Sequence, residues 1–185
     1  GFSCALILLA STPVYLACID TLRMEHDFPL IDSFETRWGI DRWESNGSTI
    51  ERSESHPTHG TQALKVSCNP GIYPGIGMKR LHGDWRGYDA FTFDVFLEGG
   101  KPLALVVRIN DAKHNHTYHD RFNKGYILAP GSNHLVIDLS KVRNAPRGRA
   151  MDMGEITGVV IFSCLLPEQR TLFFDNFRLE IFKKF

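Results

Sequence analysis

The chain has 185 residues, a mass of 21.0 kDa, and 21 basic and 21 acidic side chains. This length suits one full-sized domain and is too short for two large ones. Apolar residues make up 43% of the chain, which excludes global disorder. The zero net charge argues against a nucleic-acid partner and against a polybasic protein of the membrane surface. The 13 Phe, 16 Gly and 9 Pro together indicate many short strands joined by tight turns.

The N-terminal part differs from the rest of the chain. Residues 2–19 carry no charge, and this run is at the lower limit of length for a membrane-spanning helix. Three interpretations stay open: the end of a transmembrane helix, the hydrophobic region of a signal peptide, or an apolar helix that packs on the domain. Helix must end before Pro29, because the residue that precedes a proline avoids the α region. We therefore divide the chain into an apolar segment with its linker, residues 1–27, and a folded domain, residues 28–185.

Short runs of alternating apolar and polar residues predict strands throughout the folded domain, with no long 3.6-residue period. The predicted strands are Leu30–Phe34, Thr49–Ser53, Ala63–Cys68, Gly77–Leu81, Ala90–Leu97, Leu103–Asn110, Tyr118–Phe122, Tyr126–Ala129, His134–Asp138, Gly158–Ser163 and Leu172–Phe182. Short helical turns are predicted at residues 152–155 and after Asp138. This pattern predicts an all-β fold, a two-sheet antiparallel β-sandwich of jelly-roll type, preceded by the apolar N-terminal helix.

Alternation also assigns the two faces of the central strands. Residues 91, 93, 95 and 97 share one side of a strand, and residues 103, 105, 107 and 109 share one side of the next. Both rows are apolar and are predicted to face the second sheet. The opposite sides face solvent or form a concave binding face. Arg108 and Asp94 lie on those sides and could form a cross-strand ion pair.

A series of motifs gives the domain a resemblance to a known family. In chain order these are DSFE at 32–35, HGTQALKV at 59–66, DWRGY at 84–88, FDV at 93–95, RIND at 108–111, YHDRFN at 118–123 and FDNFRL at 174–179. The series resembles the galactose-binding-like jelly rolls of carbohydrate-binding modules. More narrowly, it is similar to the extracytoplasmic domain that follows the membrane region of some bacterial VanZ-family proteins. The resemblance covers about residues 28–182, and it implies a membrane-tethered domain, periplasmic or at the cell surface, that binds carbohydrate or a cell-envelope glycan without catalysis.

The same resemblance implies a structural calcium ion between the first and last strands. Glu35 and Asp175 stand where the family places its carboxylate ligands. Calcium takes about six to eight oxygen ligands, many of them backbone carbonyls in turns such as residues 59–62. The alternative is that Asp175 only caps a β-bulge. Phe174 and Phe177 are three residues apart, so the strand must change phase between them.

A sugar-binding face needs flat aromatic rings and planar polar side chains. The candidate binding residues are Trp85, Tyr88, Arg108, Asn110, Asp111, Tyr118, Asp120, Arg121 and Asn123. Two alternatives stay open for members of this set. Trp85 and Tyr88 could form a lid over the core, since large aromatic side chains are mostly buried. The neighbouring Asp120 and Arg121 could be an internal ion pair.

The segment from Asp111 to Asn123 is the predicted functional edge, because it is longer and more polar than the usual hairpin loop of about two to five residues. If residues 118–122 are extended, then Tyr118, Asp120 and Phe122 point to one side and could form a sugar platform. Alternatively, Tyr118 and Phe122 anchor a strand in the core, and Asp120 pairs with Arg108.

Two other functions stay open. The same fold occurs in the assembly-factor domain for respiratory complex I, so a protein-interaction or assembly module is the first alternative. A polysaccharide lyase or hydrolase is the second, because Tyr, His and Arg cluster at residues 114–121. The sequence holds no nucleophile elbow, His-Glu-x-x-His motif or phosphate loop to support catalysis. His114 and His116 have a spacing that metals use, but a polar hairpin loop is the favoured explanation, because a closed metal site needs more ligands than these two.

The four cysteines are too few and too scattered for a disulfide scaffold. Cys4 and Cys18 lie in the apolar segment, whereas Cys68 and Cys164 lie in or beside predicted strands. We expect no disulfide between the two pairs. A bond between Cys68 and Cys164 would require their strands to be neighbours.

Overall fold

The computed structural model describes residue 19 and residues 21–182. Residues 21–27 are helical, form helix α1, and are mostly exposed to solvent. The predictions for residues 2–19, including the apolar helix, fall outside the described part of the chain apart from Ile19. None of the helices in the described part has the length and apolar character needed to cross a membrane.

Two antiparallel sheets form the domain, as the strand pattern predicts. The first sheet contains β1 (Leu30–Asp32), β3 (Ser48–Ser53), β4 (Ala63–Cys68), β6 (Ala90–Leu97), β9 (Gly131–Asp138) and β11 (Arg170–Glu180). Its order is β3-β4-β11-β6-β9, and β1 also pairs with β11. The second sheet contains β2 (Trp43–Asn46), β5 (Gly75–Met78), β7 (Leu103–Asp111), β8 (Phe122–Leu128) and β10 (Ile156–Phe162), in the order β2-β5-β10-β7-β8. Two short helices, α2 (Arg37–Asp41) and α3 (Leu139–Arg143), complete the described elements.

The core lies between the two sheets and consists of the predicted apolar rows. On β6, the side chains of residues 91, 93, 95 and 97 are fully buried, and on β7 those of residues 103, 105, 107 and 109 are buried as well. Full burial of one such side chain stabilises the fold by about 1.5–3 kcal/mol. The inner faces of β6 and β7 therefore hold the sheets together, and their outer faces are free for other roles.

A bulge in β11 confirms the predicted change of phase. The pairing of β11 with β6 shifts register between Asp175 and Arg178, and Asn176 adopts a φ of 57°. One extra residue at this point lets Phe174 and Phe177 both face the core despite their odd spacing.

Two predicted elements need correction, and one observed strand was not predicted. Residues 112–121 form a loop, so the strand predicted at Tyr118–Phe122 is wrong, and the strand begins at Phe122. Residues 152–155 form a turn rather than a helical turn, with the Gly154 N–H donating to Asp152 Oδ1 at 3.1 Å. Strand β2 is an addition, because only its first residue is buried and the alternation is too weak to predict it. The helix after Asp138 is confirmed as α3, which Asp138 caps.

The cysteines of the described part are not bonded to each other. Cys68 is buried on β4 in the first sheet, and Cys164 is exposed just after β10 in the second sheet. Both residues are free thiols. Cys4 and Cys18 lie outside the described residues.

Candidate functional site

A groove of about 720 Å³ crosses the outer face of the second sheet. The strand register places its residues in rows that run across the strands. One row contains Glu44, Gly77, Val160, Arg108 and Asn123, and the next contains Asn46, Gly75, Phe162, Val106 and Gly125. Side chains alternate along each strand, so these residues face away from the core. The groove is therefore built from regular strands rather than from loops alone.

Glycines on β5 lower the floor of the groove. A Cβ at Gly75 would clash with the carbonyl oxygen of Ile161, so this position accepts only glycine while β5 and β10 stay this close. At Gly77 the space is taken by a side chain instead, because a Cβ there would lie 3.2 Å from Oε1 of Glu44. Val160 supplies apolar floor beside these glycines.

Two exposed tyrosines stand at the rim. Tyr73 and Tyr118 line the groove, and 57% and 63% of their surfaces are exposed. The Tyr73 ring packs edge-on against Phe162, with 5.6 Å between ring centroids. The Tyr118 ring lies 5.4 Å from the guanidinium carbon of Arg121. Exposed rings beside a concave polar surface are what the C–H faces of a sugar need for packing.

The β7–β8 end of the groove is rich in hydrogen-bond donors. Arg108, Arg121 and Asn123 line it. The Nε atoms of both arginines and Nδ2 of Asn123 are buried, and no hydrogen-bond acceptor contacts them. Burial, followed by the nearby charge of Arg121, lowers the pKa of Arg108. A ligand that carries acceptor oxygens would meet these three donor-rich side chains at the wall of the groove.

Asp111 and Asp120 do not line this groove, because Arg149 binds both of them. Arg149 donates to the two oxygens of Asp111 at 2.6 and 2.8 Å and to Oδ1 of Asp120 at 2.6 Å. Burial would raise the pKa of Asp111, but the bonds from Arg149 lower it. The bonds from Arg149 and from the Asn115 N–H lower the pKa of Asp120 to about 2. The expected pairs of Asp120 with Arg108 or Arg121 are therefore wrong.

Trp85 and Tyr88 also lie away from the groove, as the alternative interpretation of a core lid predicts. Trp85 is only 1% exposed, stacks on Phe91 with 5.1 Å between ring centroids, and donates from Nε1 to the carbonyl oxygen of His82. Tyr88 is partly buried and packs edge-on against Phe28. A ring buried to this extent cannot pack on a sugar, so Trp85 is not a binding residue.

The predicted platform of Tyr118, Asp120 and Phe122 does not exist. Phe122 is in the core and Asp120 is held by Arg149, whereas Tyr118 lines the groove together with Arg121. The extended conformation that this prediction assumed is replaced by a loop, in which His116 has a φ of 66°. Tyr118 and Arg121 therefore lie side by side at the groove.

Four of the nine predicted binding residues line the groove: Arg108, Tyr118, Arg121 and Asn123. Asn110 lies on the same face, where its side chain covers Gly158 and donates to Thr157 Oγ1 at 3.3 Å. Sequence reasoning missed the β2, β5 and β10 residues of the groove: Glu44, Asn46, Gly75, Gly77, Val160 and Phe162. The Gly-Ile-Gly motif at 75–77 is the signal that could have found this face, because it places two glycines on one side of a strand.

The predicted cross-strand pair of Asp94 with Arg108 is wrong, because the two residues lie on different sheets. Asp94 accepts hydrogen bonds from Thr58 Oγ1 at 2.7 Å and from Asn176 Nδ2 at 3.0 Å, and it contacts His134 Nδ1 at 2.6 Å. These contacts help to fix the bulge of β11.

Glu35 and Asp175 both bind the loop at residues 58–62. Glu35 Oε1 accepts from the backbone N–H groups of Thr61 and Gln62 at 2.9 and 2.8 Å. Asp175 Oδ2 accepts from the N–H groups of Thr58 and His59 at 2.6 and 2.8 Å. A calcium site needs oxygen ligands around the ion, whereas N–H groups face these two carboxylates. As arranged, these contacts do not fit calcium, and the calcium ion stays a prediction.

His114 and His116 belong to the polar loop. The His114 Nδ1 atom lies 2.8 Å from the carbonyl oxygen of Asp120, so Nδ1 carries a proton in this contact. Within residues 21–182, no group of three or more His, Cys, Asp or Glu side chains is arranged to hold a metal ion.

Comparison with known proteins finds similar folds among solved structures. No protein-family model and no curated protein matches the chain. Among solved structures, one similar protein is the family 11 carbohydrate-binding module from Clostridium thermocellum, in complex with a β-1,3-1,4-mixed-linked tetrasaccharide. Its TM-score is 0.63 at 16% identity, and the match covers 84% of this chain and 97% of the module. A xylan-binding domain of family 22 has a TM-score of 0.51 at 14% identity, covering 82% of this chain and 92% of the domain.

An exo-β-agarase is also similar, with a TM-score of 0.65 at 13% identity, and the match covers 84% of this chain and 26% of the agarase. The chain therefore spans about a quarter of that enzyme's length. At these identities the likeness establishes the fold alone. The domain has the jelly-roll fold of carbohydrate-binding modules, while the narrower resemblance to the VanZ-family domain stays a prediction.

Proposed function

We propose that the domain binds carbohydrate, without catalysis, in the groove of the second sheet. The observation that carries this proposal is the groove itself, in which the exposed rings of Tyr73 and Tyr118 flank a floor of glycine and apolar side chains. The donors of Arg108, Arg121 and Asn123 complete the set of groups that a sugar needs. The fold shared with carbohydrate-binding modules, one of them in complex with a tetrasaccharide, supports the same conclusion.

Binding is favoured over hydrolysis by the charges in the groove. Glu44 is the one carboxylate among the described residues that line it. Glycosidases of the common type use two carboxylates that flank the scissile bond. A protein-interaction module would be favoured by an exposed apolar patch without an aromatic-lined groove, and the two tyrosines favour carbohydrate instead.

We also propose that residues 2–19 attach the protein to a membrane and that the domain lies outside the cytoplasm. The support is the uncharged composition of that segment and the resemblance to tethered bacterial domains. A cell-envelope glycan would then be within reach of the groove. Protease treatment of cells whose outer envelope has been opened but whose inner membrane is intact tests this location, since an extracytoplasmic domain is then cleaved and a cytoplasmic one is protected.

The binding proposal is tested by titrating the protein with a panel of soluble polysaccharides in a calorimeter. We expect Tyr73→Ala and Tyr118→Ala each to weaken binding about tenfold, because each removes one ring from the groove. Phe182→Ala is the matched control, since Phe182 is an exposed aromatic residue that does not line the groove. Failure to bind any polysaccharide, or unchanged affinity in both tyrosine variants, would contradict the proposal.

A further inference from the structure

The β7–β8 end of the groove carries positive charge that the surrounding residues do not neutralise. Arg108 on β7 and Arg121 just before β8 both line the groove. Neither arginine belongs to any ion pair found within residues 21–182. The two cations are also close enough for the charge of Arg121 to act on Arg108. Two positive charges that line one groove attract a ligand of negative charge.

The nearest acidic side chains in the sequence are held elsewhere. Asp120 directly precedes Arg121, yet its carboxylate and that of Asp111 are bound by Arg149. Glu44 lines the opposite end of the groove on β2, three strands away from β7 and therefore about 14 Å distant. The fold thus leaves Arg108 and Arg121 without a carboxylate although Asp111 and Asp120 are near them in the sequence.

The unpartnered groups at this end are donors only. Nε of Arg108 and Nε of Arg121 are buried without an acceptor, as is Nδ2 of Asn123. The side-chain hydrogen bond that Arg108 makes within residues 21–182 is to the ring of His114, whose Nε2 lies 3.5 Å from Nη2 of the arginine. Carboxylate and sulfate groups accept hydrogen bonds and donate none, so either one matches this set.

A second hollow extends the positive surface. It has a volume of about 240 Å³, shares Tyr118, Arg121 and Asn123 with the groove, and adds Arg147. Arg147 is exposed and belongs to no ion pair found within the described part of the chain. The positive surface therefore continues past the groove, which suits a chain of charged sugars better than a single charged ring.

We infer that the groove binds an anionic glycan, with a uronate carboxylate or a sulfate ester against Arg108 and Arg121 and its sugar ring on Tyr118. This inference rests on the proposed carbohydrate binding and specifies its ligand class. An arginine fork binds either anion through two parallel hydrogen bonds, which a neutral hydroxyl group cannot match in strength.

The test compares anionic glycans with neutral versions of the same backbone by titration calorimetry. The probes are oligogalacturonate, its carboxyl-reduced form, a sulfated galactan and its desulfated form. We expect at least one anionic probe to bind about tenfold or more tightly than its neutral counterpart, and to lose affinity as salt is added. The pair of probes that shows the difference tells carboxylate recognition from sulfate recognition.

Variants assign this preference to the arginines. Arg108→Gln and Arg121→Gln should each reduce the preference for the anionic probe, while Arg121→Lys keeps part of it because the charge remains. Arg37→Gln, at an exposed arginine on α2 outside the groove, should change nothing. Thermal melts confirm that each variant is folded.

Three results would overturn the inference. If neutral polysaccharides bind through Tyr118 while the anionic probes gain nothing from their charge, the ligand class is wrong and the proposed function stands. If both glutamine variants keep the preference for the anionic over the neutral probe, Arg108 and Arg121 do not recognise the anion. If no glycan of either kind binds, the proposed function fails together with the inference.

Discussion

Arg149 joins the loop after β7 to the sheet through two buried carboxylates. Its guanidinium binds Asp111, at the end of β7, and Asp120, at the end of the loop. Asp111 also accepts from the backbone N–H of Asp152 at 2.7 Å. Three segments therefore meet at one cation, and this arrangement fixes the loop that carries Tyr118 and Arg121 to the groove.

We predict that Arg149→Met destabilises the protein by roughly 3 kcal/mol, the lower end of the range for breaking a buried pair, because its side chain is 26% exposed. The cost arises because the fully buried carboxylate of Asp111 loses its cation. Arg86→Met is the matched control, since Arg86 and Asp84 form an exposed pair whose loss should destabilise the protein much less than the loss of Arg149. Urea unfolding measures both, and equal effects would contradict the role of Arg149.

Low pH should destabilise the protein through the same cluster of Arg149, Asp111 and Asp120. The pKa of Asp120 is lowered to about 2 by the bonds from Arg149 and Asn115. A lowered pKa means that this stabilisation is complete above the unfolded value of about 3.9 and is lost as the pH falls towards 2. The free energy of unfolding should therefore fall between about pH 4 and pH 2, and Arg149→Met should flatten that slope. A slope that is the same in both proteins would show that other carboxylates dominate.

Arg149 also shows where sequence reasoning stops at the level of single residues. The polar composition of residues 111–123 pointed to a segment of which Tyr118, Arg121 and Asn123 line the groove. The partner of its two acids is 29 residues beyond Asp120 in the chain, and no local pattern indicates a contact at that distance. Arg108 and Arg121 were therefore expected to neutralise Asp120, whereas the fold leaves them free.

Elements were predictable where burial alternates strongly. Both central strands, β6 and β7, have the predicted faces, and the spacing of Phe174 and Phe177 indicated the bulge of β11. The edge strand β2 has one buried residue and gives no such signal. The groove depends on β2 and on the glycines of β5, so its shape could not be predicted from hydrophobic alternation alone.

Gly77 on β5 keeps the floor of the groove open, and a larger residue at this position should block it. Gly77→Val should place a side chain in the groove, because a Cβ at that position meets only the movable side chains of Glu44 and Val160. We expect glycan binding to weaken about tenfold or more while stability is unchanged or rises, since glycine weakens the interior of a strand by roughly 0.5–1 kcal/mol.

Gly100→Val provides the comparison, because a Cβ at Gly100 meets nothing within 4 Å and this glycine does not line the groove. Calorimetry with the polysaccharide that binds best to the unchanged protein, together with a thermal melt, checks both variants. Full binding by a folded Gly77→Val protein would place the ligand elsewhere.

The architecture of the whole molecule followed from composition and spacing, since short alternating runs separated by turns predict a sandwich and the structure is one. Which outer face is concave depends on how the sheets twist and on the loops that border them, and neither is encoded in alternation. The resemblance to carbohydrate-binding modules paired Glu35 and Asp175 as ligands of one calcium ion, and in the structure both carboxylates bind the loop at residues 58–62. The hydrogen bonds from that loop to the two carboxylates therefore link the first strand of the sandwich, β1, to the last, β11.

The last prediction concerns this closure of the sandwich. Glu35 follows β1 and binds the loop at Thr61 and Gln62, so removing its charge should loosen the attachment of the first strand. Burial would raise the pKa of Glu35, but the bonds from these two N–H groups lower it. The stabilisation is therefore present above the unfolded pKa of about 4.3 and is lost as the pH falls through the lower, folded value.

We expect Glu35→Gln to lower the melting temperature by about 2–4 °C at neutral pH, the shift that corresponds to about 1 kcal/mol in a protein of this size. The two melting temperatures should converge in acid, where Glu35 is protonated. Glu54→Gln, at an exposed carboxylate outside this cluster, should have no such effect.

Because N–H groups face Glu35 and Asp175, the unchanged protein should have the same melting temperature in excess calcium as in the presence of a chelator. A rise with calcium that disappears in Glu35→Gln would instead establish the calcium site that the resemblance implies.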